Sequence, residues 1–256
     1  MKKTLYYCLL CLPLFARGQW LTPDRVAYIK ACTVKINTEG DPRPSAGFFV
    51  RADGLILTTW HSIAPAIVRD PKTNAITSLK KIKVTTADGK QAEVGILLDL
   101  LNKDYFGAIS YDYCLLIWAS PNHPAVPYLK LGTFNQVSEG QEVFTCGYIN
   151  GTEQPVVARG IVSTKFVDST IIIQAGKPTI IPRQQALLDM AMNRSGGAVV
   201  RPGTTIADDL VIGIADMLVV PDGQAIEAGM SSSIGGCVAI NHLLDGIKRM
   251  NGQTQK

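Results

Sequence analysis

The chain has 256 residues, 46% of them hydrophobic and 18% charged, with a formal net charge of +4. That length and apolar content bury a full core in one domain or in two small packed ones. Lys2, Lys3 and Arg17 lie within the first 18 residues, which hold no acid, so residues 19–256 are formally +1 (+4 less three cations), and no basic block beyond Lys80-Lys81-Ile82-Lys83 stands out. Such a balance excludes an electrostatic surface for nucleic acid or an anionic membrane.

Met1-Lys2-Lys3 precedes an apolar run from Thr4 to Phe15, and Ala16-Arg17-Gly18 comes next with small residues at both ends. This is the pattern of a secretory leader cut after Gly18, leaving Gln19 as the first residue. The run is shorter than the roughly 20 residues a spanning helix needs, so no stable membrane anchor is expected. The expected location is therefore periplasmic or extracellular. Cys8 and Cys11 leave with the leader; Cys32, Cys114, Cys146 and Cys237 remain. Among these four there is no CxxC pair and no Cys/His cluster, so neither a metal nor another cofactor is expected. Each remaining cysteine sits in an apolar stretch, which reads as a free buried thiol, with a disulfide as the alternative.

Along the chain, short apolar or alternating runs are punctuated by turns. Ala52-Asp53-Gly54 separates Phe48–Val50 from Leu55–Leu57, and Asp88-Gly89 separates Ile82–Thr85 from Ala92–Val94; both read as hairpins. Further strands are expected over Cys114–Trp118, Glu142–Cys146, Val156–Val162, Thr170–Gln174, Ala198–Val200, Leu210–Ile214 and Cys237–Ile240. Leu243, Leu244, Ile247 and Met250 recur at helical spacing and predict a terminal helix. A short helical turn is expected after His61. Many short strands with frequent turns give an all-β class. The stretch from Ser120 to Leu131, with Pro121, Pro124 and Pro127, divides 19–125 from 126–256, each half the size of a six-stranded barrel.

Three stretches carry chemistry. Leu57-Thr58-Thr59-Trp60-His61 places a histidine just past a hydrophobic strand. Asp112 opens the apolar run Tyr113-Cys114-Leu115-Leu116-Ile117. Ser195 stands in a turn before Gly196-Gly197-Ala198-Val199-Val200. Each alone reads as ordinary structure. Together, in the order His, Asp, Ser, they match a nucleophile, a base and the group that orients the base.

The runs Ser45-Ala46-Gly47-Phe48-Phe49, Asp53-Gly54-Leu55-Ile56-Leu57-Thr58 with His61, Asp112-Tyr113-Cys114-Leu115-Leu116, Gly160-Ile161-Val162-Ser163, Ser195-Gly196-Gly197 and Ile212-Gly213-Ile214 resemble the trypsin-like serine peptidases, in particular the protease module of the bacterial Deg/HtrA branch. The resemblance runs from about Val26 to Ile247. It implies two six-stranded antiparallel β-barrels of the chymotrypsin type with a C-terminal helix, and an endopeptidase acting on polypeptides through His61, Asp112 and Ser195. It assigns the oxyanion hole to the backbone N–H groups of Asn193 and Ser195, and substrate contact to Asp189, Ile214 and Ala215. Asp189 has two readings: the acid of a pocket for Arg or Lys, or a loop acid without that role. The family has glycine where this chain has Asn193, which keeps a catalytically silent, peptide-binding relative as the alternative function. Asp104 is a second candidate for the orienting acid. His123 reads as a surface residue and His242 as a neighbour of the terminal helix cap. No PDZ domain is expected after the protease module.

Overall fold

The computed structural model of the chain describes residues 21–70, 72, 76–97, 109–118, 124–148, 152–174, 177–190, 195–218 and 234–250. The leader, Asp104, His123 and Asn193 lie outside the described residues.

An N-terminal helix, α1 (Pro23–Cys32), leads into β1 (Thr33–Thr38). The sequence reading did not expect this helix, although its start is written locally. Thr22 caps it by accepting from Arg25 N at 3.3 Å, and proline occupies the first turn, where its missing N–H costs nothing. Arg25 then reaches the second half of the chain. Its Nε donates to Asp209 Oδ2 at 3.0 Å and its Nη2 to Gly203 O at 2.9 Å, while Asp209 Oδ1 accepts from Gly203 N. Both charged side chains are almost fully buried, at 4% and 2% exposure. Removing one partner of such a pair strands the other's charge at a cost of about 3–5 kcal/mol, so the helix is latched onto the later strands.

The first barrel closes in the order β1, β2 (Ser45–Phe49), β3 (Ile56–Thr58), β8 (Cys114–Trp118), β7 (Gln91–Ile96), β6 (Ile82–Thr86). Both expected hairpins are present, with Gly54 and Gly89 at positive φ. Between β3 and β6 lie α2 (Trp60–Ile63), the single helical turn carrying His61, and a small sheet of β4 (Ile67–Arg69) and β5 (Ile76–Leu79). The second sheet runs β13 (Ala198–Arg201), β10 (Glu142–Gly147), β11 (Val156–Gln174), β12 (Lys177–Asp189), β15 (Ile234–Ala239), β14 (Leu210–Leu218), with β9 (Lys130–Leu131) added in parallel to β14. β13 also pairs with β14, which returns the sheet to its start. The terminal helix α3 (Asn241–Met250) comes last. Among the described residues, no helix is long and apolar enough to cross a membrane.

Strand periodicity explains how the two halves join. Val143, Val199, Ile212 and Ala215 fill one apolar cluster inside the second sheet. Their neighbours Phe144, Cys146, Ala198, Val200, Val211 and Ile214 belong to the other cluster, with Phe48, Phe49, Ile56 and Leu116 of the first barrel. Successive side chains on a strand point to opposite faces, so β10, β13 and β14 fill their own barrel with one face and pack on the first barrel with the other. Cys32, Cys114, Cys146 and Cys237 are all buried and unpaired. Burial pushes their thiols up to about 12, 12, 11 and 12.

Val156–Val162 and Thr170–Gln174, expected as separate strands, are one strand. β11 pairs with β12 from Ile161↔Asp189 to Gln174↔Lys177, with a bulge between Val162 and Thr164. Its middle has no clean alternation in sequence. The ladder is supplied by the partner strand, which periodicity within β11 does not encode.

Candidate active site

His61 sits on α2, immediately after β3, and Asp112 immediately before β8. β3 and β8 are neighbours, with Thr58 opposite Cys114, so the two residues emerge side by side at one end of the barrel. Asp112 takes φ 53°, the left-handed region that Asp enters more readily than most residues. Tyr111, just before it, stacks on His242 with ring centroids 3.9 Å apart. His242 is buried and accepts from Gln184 N at 2.8 Å, so this histidine is structural and ties α3 to β12.

Asp112 meets His61 twice. Oδ1 accepts from the His61 backbone N at 2.8 Å, and Oδ2 from Nδ1 at 2.6 Å. This holds the proton on Nδ1 and leaves Nε2 as an acceptor. Burial alone lowers the basicity of His61, but the hydrogen bond and charge of Asp112, with the charge of Asp216, outweigh it and raise its pKa. For Asp112, burial pushes the carboxyl up, yet the hydrogen bonds from His61 and Asp216 and the His61 charge hold it below the usual range.

Ser195 enters from the second sheet, in the turn before β13. Its carbonyl accepts from Ala46 N of β2 at 3.1 Å, a bond between the barrels. Gly196 comes next at φ 90°, where a side chain would collide with Ala46 O. At Gly197 a Cβ would lie 2.5 Å from Cys146 O. The two glycines are therefore dictated by close backbone approach, of Gly196 to the first barrel and of Gly197 to β10 in its own sheet. Gly196 N donates to Ala215 O and Ala215 N to Gly197 O, both at 2.8 Å. Ile214 and Ala215 bury their side chains, and Ala215 presents its backbone to this turn. Ser195 and His61 line one cavity of about 230 Å³, with Asp41, Arg43, Pro44, Ser45, Ser62 and Pro65. The Ser195 hydroxyl donates to Asp216 O at 3.2 Å and makes no hydrogen bond to His61 among the described residues. Asp189 closes β12, is exposed, and does not line this cavity.

Sequence reasoning missed Asp216. Its Oδ1 lies 3.7 Å from His61 Nδ1, and its Oδ2 accepts from Arg183 Nη2. Burial, and then the neighbouring Asp112, push its carboxyl up to about 7. The available signal was an acid inside the otherwise apolar run Leu210–Leu218; nothing in sequence distinguished Arg183. His61, Asp112 and Asp216 bring ligand atoms within 4.8 Å of one another, as a metal site would. The hydrogen bonds among them already account for that closeness.

No curated protein matches the chain. Among solved structures, the inactive form of Rv3671c from M. tuberculosis H37Rv is similar over 91% of this chain and 92% of that one, at 16% identity and TM-score 0.58. The active form of the same M. tuberculosis protease matches at 17% identity and TM-score 0.58, over 90% of this chain and 85% of that one. The HtrA-type protease AlgW, solved with a tripeptide, matches at 20% identity and TM-score 0.59; 90% of this chain covers 64% of AlgW. At these identities the likeness is one of fold, and the fold is the expected two-barrel one. The model of the trypsin-like peptidase domain matches residues 45–207, well over half of the chain. On that match, and with the barrels arranged as described, the chain belongs to the trypsin-like peptidase domain family.

Proposed function

We propose that the chain is an exported serine endopeptidase with His61, Asp112 and Ser195 as its triad. One observation carries the reading: the His61 imidazole, oriented by Asp112 at 2.6 Å, faces the same cavity as Ser195. In this reading Ser195 Oγ attacks the carbonyl carbon of a peptide and its proton passes to His61 Nε2. The C–N bond breaks as His61 returns that proton to the leaving amine, leaving an acyl ester on Ser195. Water then attacks the ester carbon as its proton passes to His61 Nε2, the C–Oγ bond breaks, and His61 returns that proton to Ser195 Oγ as the acid leaves. Asp112 holds the tautomer and stabilises the imidazolium. The N–H groups of Asn193 and Ser195 receive the oxyanion; asparagine tolerates positive φ better than most residues that could stand in for glycine.

A fluorophosphonate probe is expected to label Ser195, located by peptide mapping. A second reading, a silent peptide-binding relative, is favoured by the Ser195 hydroxyl bonding Asp216 O in place of His61. Complete absence of labelling would select it. Resting hydroxyls are often misaligned before substrate binds, which keeps the enzyme as the first reading. The leader completes the proposal: mass spectrometry of the exported chain is expected to show Gln19 first, and a retained Met1 would exclude cleavage after Gly18.

A further inference from the structure

We propose that Asp216, held by Arg183, is a positioning residue that acts on His61 both directly and through Asp112 and sets the pH at which the imidazole becomes a base. The proposal rests on the triad reading of His61, Asp112 and Ser195. Asp216 lies against every member of that triad: its backbone oxygen accepts from Ser195 Oγ at 3.2 Å, Oδ1 lies 3.7 Å from His61 Nδ1, and a carboxyl oxygen comes within 4.8 Å of one of Asp112. The arrangement is enclosed. The side chains of Asp112, Asp216 and Arg183 are 10%, 9% and 14% exposed.

Arg183 does not reach Asp216 by strand adjacency. It stands on β12, Asp216 on β14, and β15 lies between them. Arg183 is fixed from behind, because its neighbour Gln184 donates its backbone N to His242 and accepts from the Asn241 side chain at 3.3 Å. The guanidinium is thus carried to the carboxylate by the sheet and by α3.

The titratable groups that face Asp216 are His61 from α2, Asp112 from the start of β8, Arg183 from β12 and Cys237 from β15. The thiol of Cys237 is pushed up to about 12 by burial and stays neutral. Two adjacent carboxyls cannot both ionise freely, so one proton is shared between them. Asp112, bonded twice by His61, stays the anion, and the proton belongs to Asp216, whose carboxyl is pushed up to about 7. In that form Asp216 donates to Asp112 while its other oxygen accepts from Arg183. Once it ionises, its charge favours the imidazolium, whereas the Arg183 charge opposes it. The two residues therefore tune the base in opposite senses.

The test compares Asp216→Asn and Arg183→Gln with wild type by the pH profile of kcat/KM and by NMR titration of the His61 ring protons. Asn keeps the shape and polar contacts of Asp216 but cannot ionise. Its His61 midpoint is expected to fall by up to about one pH unit, because the variant can no longer ionise in the upper part of the titration and add a negative charge beside the ring. In Arg183→Gln the midpoint is expected to rise. Unmoved midpoints, or shifts of the same sign, overturn the proposal, since a purely structural role lowers activity without moving a titration. If only one variant folds, the sign of its shift decides. The NMR titration reads His61 whether or not substrate is turned over, so it fails independently of the fluorophosphonate labelling that tests the peptidase reading.

Discussion

Ser195→Ala is expected to lower kcat by about 10⁶-fold, because in the proposed triad His61 and Asp112 are left with no nucleophile to activate and the three groups act as a unit. The residual rate is what substrate binding and the oxyanion hole supply on their own. The substitution removes one described contact, the 3.2 Å bond to Asp216 O, and leaves the turn's Gly196 and Gly197 in place. A net hydrogen bond contributes about 1 kcal/mol, so the variant is expected to melt within a few degrees of wild type. The assay is peptide cleavage with fluorophosphonate labelling on the same preparation. Undiminished cleavage, or labelling at another serine, would sink the assignment of Ser195.

Asp112→Asn is expected to cost about 10⁴-fold in kcat with the fold intact. Both carboxylate oxygens accept from His61, one from its backbone N and one from Nδ1. An amide offers one oxygen and one NH₂, so one of those donors meets another donor. The imidazole then turns to the tautomer with the proton on Nε2, which cannot accept from serine. Asparagine also tolerates the left-handed backbone at this position, so the loss reports chemistry and not strain. Asp216, 3.7 Å from Nδ1, leaves a second carboxylate near the ring. The double variant Asp112→Asn/Asp216→Asn is therefore expected to be slower than Asp112→Asn alone. A larger loss from Asp104→Asn would show that the wrong acid has been assigned.

What the sequence by itself determined was local. Period-two runs broken by Asp-Gly marked both hairpins of the first barrel. The helical spacing of Leu243, Leu244 and Ile247 marked α3, and the apolar surroundings of the four cysteines marked buried free thiols. His61, Asp112 and Ser195 stood out as candidates because each abuts a buried strand, where a polar residue is conspicuous. The tertiary structure alone decided that β11 continues through its unpatterned middle, that α1 is latched by Arg25 to Asp209, and that Arg183 meets Asp216 across β15. It also decided where the Ser195 hydroxyl points. These contacts join residues distant in sequence through strand order and register. A strand's own alternation states which face is buried, and carries no record of which strand will lie beside it.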